Sequence, residues 1–168
     1  MLPLQRESAN HQFPFFMLIL LDPAHGHNTP GKRSPDGTLL EYAYTRDLAY
    51  QILTTLQDKG HNAQLLVPET EDIPLKERVR RDNAICTAQG PANVLLISIH
   101  INAARDGDPD WEENFYILCH THCPAVLIEN FFMDNKQDLA YLLSQEGRRE
   151  IIETIIDGIE RCVLTLVE

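Results

Sequence analysis

"LILLDPAHGHN" (residues 18–28) runs four large aliphatic residues into Asp22-Pro23 and then sets His25 and His27 around Gly26. An apolar run without alternation predicts a strand buried on both faces, and a Gly-containing turn at its end holds polar side chains at the rim of a sheet. The wider run "FPFFMLILL" (13–21) has the length of a signal-peptide apolar region. It carries only Arg6 in front, offset by Glu7, and no small-x-small cleavage site behind, so a core strand is the expected reading. Nine apolar residues are too few to span a bilayer.

Outward from that strand the pattern alternates. "NTPGKRSPDGT" (28–38) is loop-like, and "EYAYTRDLAYQILTTLQDKG" (41–60) predicts a helix with Leu48, Ile52, Leu53 and Leu56 inward and Gly60 at a left-handed cap. "AQLLVP" (63–68) predicts a strand, "PLKERVRRDNAICTAQ" (74–89) a helix with Pro in its first turn, and "NVLLISI" (93–99) a second buried strand. "NFYIL" (114–118) and "PAVLIE" (124–129) predict two more strands, followed by a short helix at "KQDLAYLLS" and a closing helix from about Gln145 to Val163. The β-α-β-α-β order predicts an α/β fold, a single-domain twisted and mostly parallel sheet flanked by helices on both faces. With no repeat, low-complexity tract or Ser/Gly linker, residues 1–12 are expected to be a polar tail and 13–168 one domain.

Composition narrows the function. The chain has 168 residues, 43% hydrophobic, enough for one sizeable core. A net charge of −11, with 14 Lys and Arg, argues against a nucleic-acid partner. Four cysteines without a repeating framework fit synthesis in a reducing compartment, the cytoplasm, and no stable membrane association is expected. Oligomeric state is not legible.

In a parallel sheet the strands' C-terminal ends share one edge, so residues just past each strand can converge. His25 follows the first strand, His100 follows "NVLLISI", Glu129 ends "PAVLIE", and Glu41 opens the first helix after a loop long enough to fold back. Two imidazoles and a carboxylate fill three tetrahedral positions on Zn²⁺ and leave the fourth to water, the arrangement of a catalytic site. Such water is acidic enough to attack a carbonyl near neutral pH, while a second carboxylate carries its proton to the leaving amine. Spacing alone leaves open which glutamate binds metal and which moves the proton.

"LDPAHG", a Glu at the start of the next helix, "LKERV", "ISIHINA" and "PAVLIENFFMDN" occur in this order. Together they resemble the zinc-dependent N-acetylmuramoyl-L-alanine amidases of the amidase-3 family, over nearly the whole chain from about Leu18. The resemblance implies one Zn²⁺ held by His25, Glu41 and His100, with Glu129 as the catalytic acid/base. The implied substrate is peptidoglycan or a muropeptide, cut between N-acetylmuramic acid and L-alanine of the stem peptide, as in autolysins and endolysins that degrade the cell wall. The protein would reach the wall after export or lysis. Departures from the family pattern are Ala24 for a glycine before the motif histidine, His27 for a second glycine, and "VPETED" (67–72) for a Thr-Arg after the second strand. A shortened stretch at 104–123 leaves little room for the strand and helix usual there. A zinc peptidase on wall peptides and a catalytically impaired peptidoglycan-binding module are the alternative functions.

Other residues have plainer expectations. "CHTHC" (119–123) looks like a metal cluster, but an extended strand would point Cys119, Thr121 and Cys123 to one face and His120 and His122 to the other. Only a turn at Thr121 would relax that. Cys86 and Cys162 are expected as small core residues, His11 and His61 as solvent-exposed, and His27 beside the metal site without binding it. Asp22 is expected as a turn former or an orienting neighbour. Trp111 and Tyr116 either line a groove or pack.

Overall fold

The computed structural model describes residues 17–103 and 116–167. Four strands form one all-parallel sheet: β1 (Leu18–Pro23), β2 (Asn62–Leu65), β3 (Val94–Asn102) and β4 (Ala125–Phe132), in the order β2-β1-β3-β4. The helices are α1 (Glu41–Asp58), α2 (Leu75–Gln89), α3 (Tyr116–His120), α4 (Lys136–Leu143) and α5 (Gln145–Val167). Among the described residues, no helix is long and apolar enough to cross a membrane.

Strand alternation separates two cores. Ile19 and Leu21 of β1 and Leu95, Ile97, Ile99 and Ile101 of β3 meet Leu48, Ile52 and Leu56 of α1 and Ile152, Ile155 and Ile159 of α5. On the other face Leu18, Leu20, Val94 and Leu96 meet Val79 and Cys86 of α2 and Ile117 of α3. Both faces of β1 and β3 are therefore covered, as their unbroken apolar runs require. Helix α1 ends as its sequence predicts: Gly60 has φ 88°, its N–H donates to Gln57 O, and His61 N–H donates to Leu56 O.

Three expectations need correction. Tyr116, Ile117 and Leu118 of the expected "NFYIL" strand are helical; Asn114 and Phe115 lie outside the described residues. β4 pairs directly with β3, so no strand position lies between them, and one helical turn instead buries Ile117 against α2. His61 is not solvent-exposed: its side chain is 4% exposed, with Nε2 3.1 Å from Glu160 Oε1 of α5, because the α1 cap turns it inward. Finally, His100 does not follow its strand and Glu129 does not end its own; both lie within strands, since β3 continues to Asn102 and β4 to Phe132. The expectations for residues 1–12, His11 and Trp111 fall outside the described residues.

Candidate metal centre

Sheet order places a crossover switch between β1 and β3, since β2 lies on one side of β1 and β3 on the other. Such a switch opens a crevice at the C-terminal ends of the strands. β1 leaves the sheet at Pro23, Ala24 N–H still donates to Ile99 O, and the next residue, His25, takes the left-handed conformation with φ 53°. Ala24 keeps a negative φ, so alanine fits where a glycine is usual. The strained residue is the histidine itself, a placement that over-determined surroundings must hold.

Those surroundings are two arginines that no sequence pattern identified. Arg78 of α2 donates to Pro23 O (2.7 Å), to His25 O (3.2 Å) and to Asp22 Oδ1 (2.6 Å), and Ser98 Oγ holds the other Asp22 oxygen at 3.0 Å. Arg46 of α1 donates to Ala24 O (3.0 Å) and Glu69 O (2.9 Å). Every carbonyl from 23 to 25 thus has a guanidinium donor. The available signal was the stripe Arg78, Asp82, Cys86 at i, i+4, i+8, which sets charged residues on the buried face of a helix.

Glu41 arrives from a different direction. The loop folds back through the Arg33–Leu40 bridge and the Ser34 N–H to Leu39 O bond, and Glu41 N–H donates to Lys32 O as α1 begins. Ile99 is the last β3 residue paired with β1, so the N–H of Ile101 lies beyond that ladder and donates to Glu41 Oε1 at 3.1 Å. His100 is held by the bulge that follows it: β4 carries an extra residue between Glu129 and Phe132, Phe131 takes φ 58°, and Asn130 Nδ2 donates to His100 O at 2.9 Å.

These placements bring His25, Glu41 and His100 together. His25 Nε2 lies 3.5 Å from Glu41 Oε2, His100 Nδ1 lies 3.6 Å from Glu41 Oε1, and the two rings sit edge to face with centroids 5.4 Å apart. One ligand-type atom from each residue falls within 4.8 Å of the others. A tetrahedral ion with bonds of about 2.0–2.1 Å needs ligand separations of about 3.3–3.4 Å, so the three side chains would draw inward to seat one. Burial pushes the His25 imidazole down to about 4, with His100, Lys32 and Arg78 adding to the effect and Glu41 opposing it. Burial raises Glu41, but the His100 hydrogen bond, the neighbouring imidazoles and the Ile101 N–H outweigh it and leave the carboxyl below its ordinary value. A neutral imidazole and an ionised carboxylate are the forms that bind a metal. The donor set fits zinc.

A cavity of about 160 Å³ reaches His25 and His100 and runs past Lys32, Asp72 and Arg78 to Ile117. Glu129 is the register partner of His100 and is exposed. His27 points away, with its side chain 49% exposed, 3.8 Å from Glu71 and edge-on to Tyr42. Tyr116 packs on His120 with ring centroids 3.9 Å apart.

The sequence profile described as N-acetylmuramoyl-L-alanine amidase, Amidase_3, matches residues 19–110 and 109–161. The chain belongs to this amidase family. The two matched stretches meet inside the segment expected to be short. Among curated amidase relatives, the "Probable cell wall amidase LytH" of Staphylococcus aureus is 23% identical over 165 residues, covering 84% of this chain and 57% of LytH. The Staphylococcus epidermidis LytH is 22% identical over 166 residues, covering 85% and 57%. The chain therefore spans little more than half the length of these relatives. The amidase fold recurs in N-acetylmuramoyl-L-alanine amidase AmiC2 of Nostoc punctiforme, with TM-score 0.71 and 22% identity over 88% of this chain and 97% of that one. It recurs too in the CwlD amidase of Clostridioides difficile, solved with the GerS lipoprotein, with TM-score 0.70 and 17% identity over 89% and 99%.

Proposed function

We propose that this chain is a zinc-dependent N-acetylmuramoyl-L-alanine amidase. In this reading it hydrolyses the amide between N-acetylmuramic acid and L-alanine of peptidoglycan stem peptides. Residues 13–168 act as the catalytic domain, made in the cytoplasm and brought to the wall by export or lysis. The observation that carries the reading is the convergence of His25, Glu41 and His100 at the sheet's switch point, in a chain of this family.

His25, Glu41 and His100 would hold one zinc ion, which would polarise the scissile carbonyl and make water acidic near neutral pH. His25 and His100 supply imidazole nitrogens, and Glu41 supplies the one formal negative charge of the set. The Ile101 N–H keeps the Glu41 carboxylate aimed at the crevice. Glu129 takes the proton of the water that attacks the carbonyl carbon and returns it to the alanine nitrogen as the C–N bond breaks, leaving the lactyl carboxyl and a free amine. Its exposure on β4 suits a group that must meet substrate from solvent.

Incubation of zinc-loaded protein with a defined muramoyl-peptide, followed by mass spectrometry beside a chelated sample, tests this. The expected products are intact sugar and intact stem peptide, formed only with metal. Cleavage between amino acids would make the chain a peptidase. Binding of muropeptide without cleavage would make it a wall-binding module.

A further inference from the structure

A second group of ligand-type side chains lies between α2 and the turn after α3. Asp82 and Cys86 stand one helical turn apart on α2, and Cys123 approaches from the turn before β4. Cys86 Sγ is 3.6 Å from Asp82 Oδ1, and Cys123 Sγ is 3.5 Å from the same oxygen and 3.9 Å from Oδ2. All three residues are buried, with ligand atoms within 4.8 Å of one another. The Thr121 hydroxyl donates to Asp82 Oδ2 and lies 3.3 Å from Cys123 Sγ. The expected extended "CHTHC" strand is thus a helix end and turn. Cys119 is exposed, His120 turns back to Tyr116 O, the exposed His122 donates its N–H to Asn83, and of these cysteines and histidines Cys123 alone enters the cluster.

Two observations point to a cation. Asp82 is fully buried, yet among the described residues no lysine, arginine or histidine forms an ion pair with it. Its side-chain donors are the Thr121 hydroxyl and two thiols, which are weak donors, and a buried carboxylate without a counter-charge is costly. The spacing is the second observation. Metal–sulfur bonds of about 2.3 Å and metal–oxygen bonds of about 2.0–2.2 Å in a tetrahedron require sulfur–oxygen edges of about 3.5–3.7 Å. Both sulfurs meet that requirement at Asp82 Oδ1.

We propose that Asp82, Cys86 and Cys123 form a second metal site, for a thiophilic divalent ion such as Zn²⁺, sharing no residue with the His25–Glu41–His100 group. The ion replaces two S–H···O contacts with two metal–thiolate bonds and releases the two thiol protons to solvent. Occupancy ties α2 to the turn that leads into β4, the strand carrying Glu129.

Titration of the reduced, metal-free full chain with Co²⁺ tests the site independently of turnover. Thiolate–cobalt charge transfer in the near ultraviolet is expected, rising until one equivalent fills this site. His100→Ala should keep the band while losing the other equivalent. Cys119→Ser with Cys162→Ser should also keep it, and Cys86→Ser with Cys123→Ser should lose it. Absence of the band in the unsubstituted chain at saturating Co²⁺ would overturn the proposal whether or not the buried variants fold. So would its persistence in Cys86→Ser/Cys123→Ser.

Discussion

His100 and Glu129 face each other across the β3–β4 ladder as register partners, one residue before the bulge that breaks the pairing. Side chains of paired residues in a parallel sheet share a face, so β4 sets a carboxylate beside the imidazole that β3 contributes to the candidate centre. The bulge and the Asn130 bond to His100 O fix that relation.

Replacing these two neighbours should therefore give different losses. On the proposed mechanism Glu129→Gln is expected to retain one zinc at the His25–Glu41–His100 group and to lower turnover by about 10²-fold or more, because only the proposed proton carrier is removed. His100→Ala should lose that zinc and turnover together. Metal analysis after dialysis, paired with muropeptide assays, separates the cases; equal zinc loss would contradict the division of roles.

Arg78 and Asp22 form a buried ion pair, with side chains 3% and 1% exposed. Arg78→Met leaves the Asp22 carboxylate without its counter-charge and frees the carbonyls of Pro23 and His25. The expected cost is about 3–5 kcal/mol, or a melting temperature lower by about 10 °C. Adding Asp22→Asn should recover part of it. A melting shift of under about 2 °C for Arg78→Met would show that the clamp is dispensable.

Gly26 is a close-approach glycine: a Cβ there would run into the backbone of Glu71 and Asp72. His27 N–H to Thr70 O (2.8 Å) and Asp72 N–H to Asn28 Oδ1 (2.7 Å) hold the two loops together. Gly26→Ala should destabilise by about 1–3 kcal/mol and open the 68–74 loop to protease. Gly158→Ala, in α5 with open space around it, should instead stabilise by about 0.5–1 kcal/mol. Denaturant melts of both variants check the contrast.

Glu160 accepts from Lys59 Nζ at 2.9 Å and approaches His61 at 3.1 Å, tying α5 to the end of α1. Burial pushes its carboxyl up, but these two partners reverse that and leave it below the ordinary value of 4.5. As pH falls the unfolded chain takes up this proton first, so the contribution is complete above the unfolded pKa and lost as pH drops through the folded one. The melting difference between the unsubstituted chain and Glu160→Gln should be constant near neutrality and shrink below about pH 4.5. A difference that grows on acidification would reverse the assignment.

The buried strands were legible because burial on both faces writes continuous apolar runs, as in Leu18–Leu21 and Val94–Ile99. The helices at 41–58 and 75–89 were legible from their spacing and caps. The meeting of His25 with His100 followed from one topological fact, that parallel strands end on one edge, and Glu41 joins them because the loop before α1 folds back through the Arg33–Leu40 bridge. What tertiary structure alone decided lies where the partner is remote in the chain. Tyr116–Leu118 became helix because β4 already occupies the edge of β3, and His61 turned inward because Glu160 waits on α5. Arg78 reached the turn at Pro23–His25, and Cys123 left its neighbours in "CHTHC" to join Asp82 and Cys86, only because α2 packs against that face of the sheet. Local periodicity reports which side of an element is apolar; it carries no information about which distant charge, thiol or carbonyl the fold will set against a given side chain.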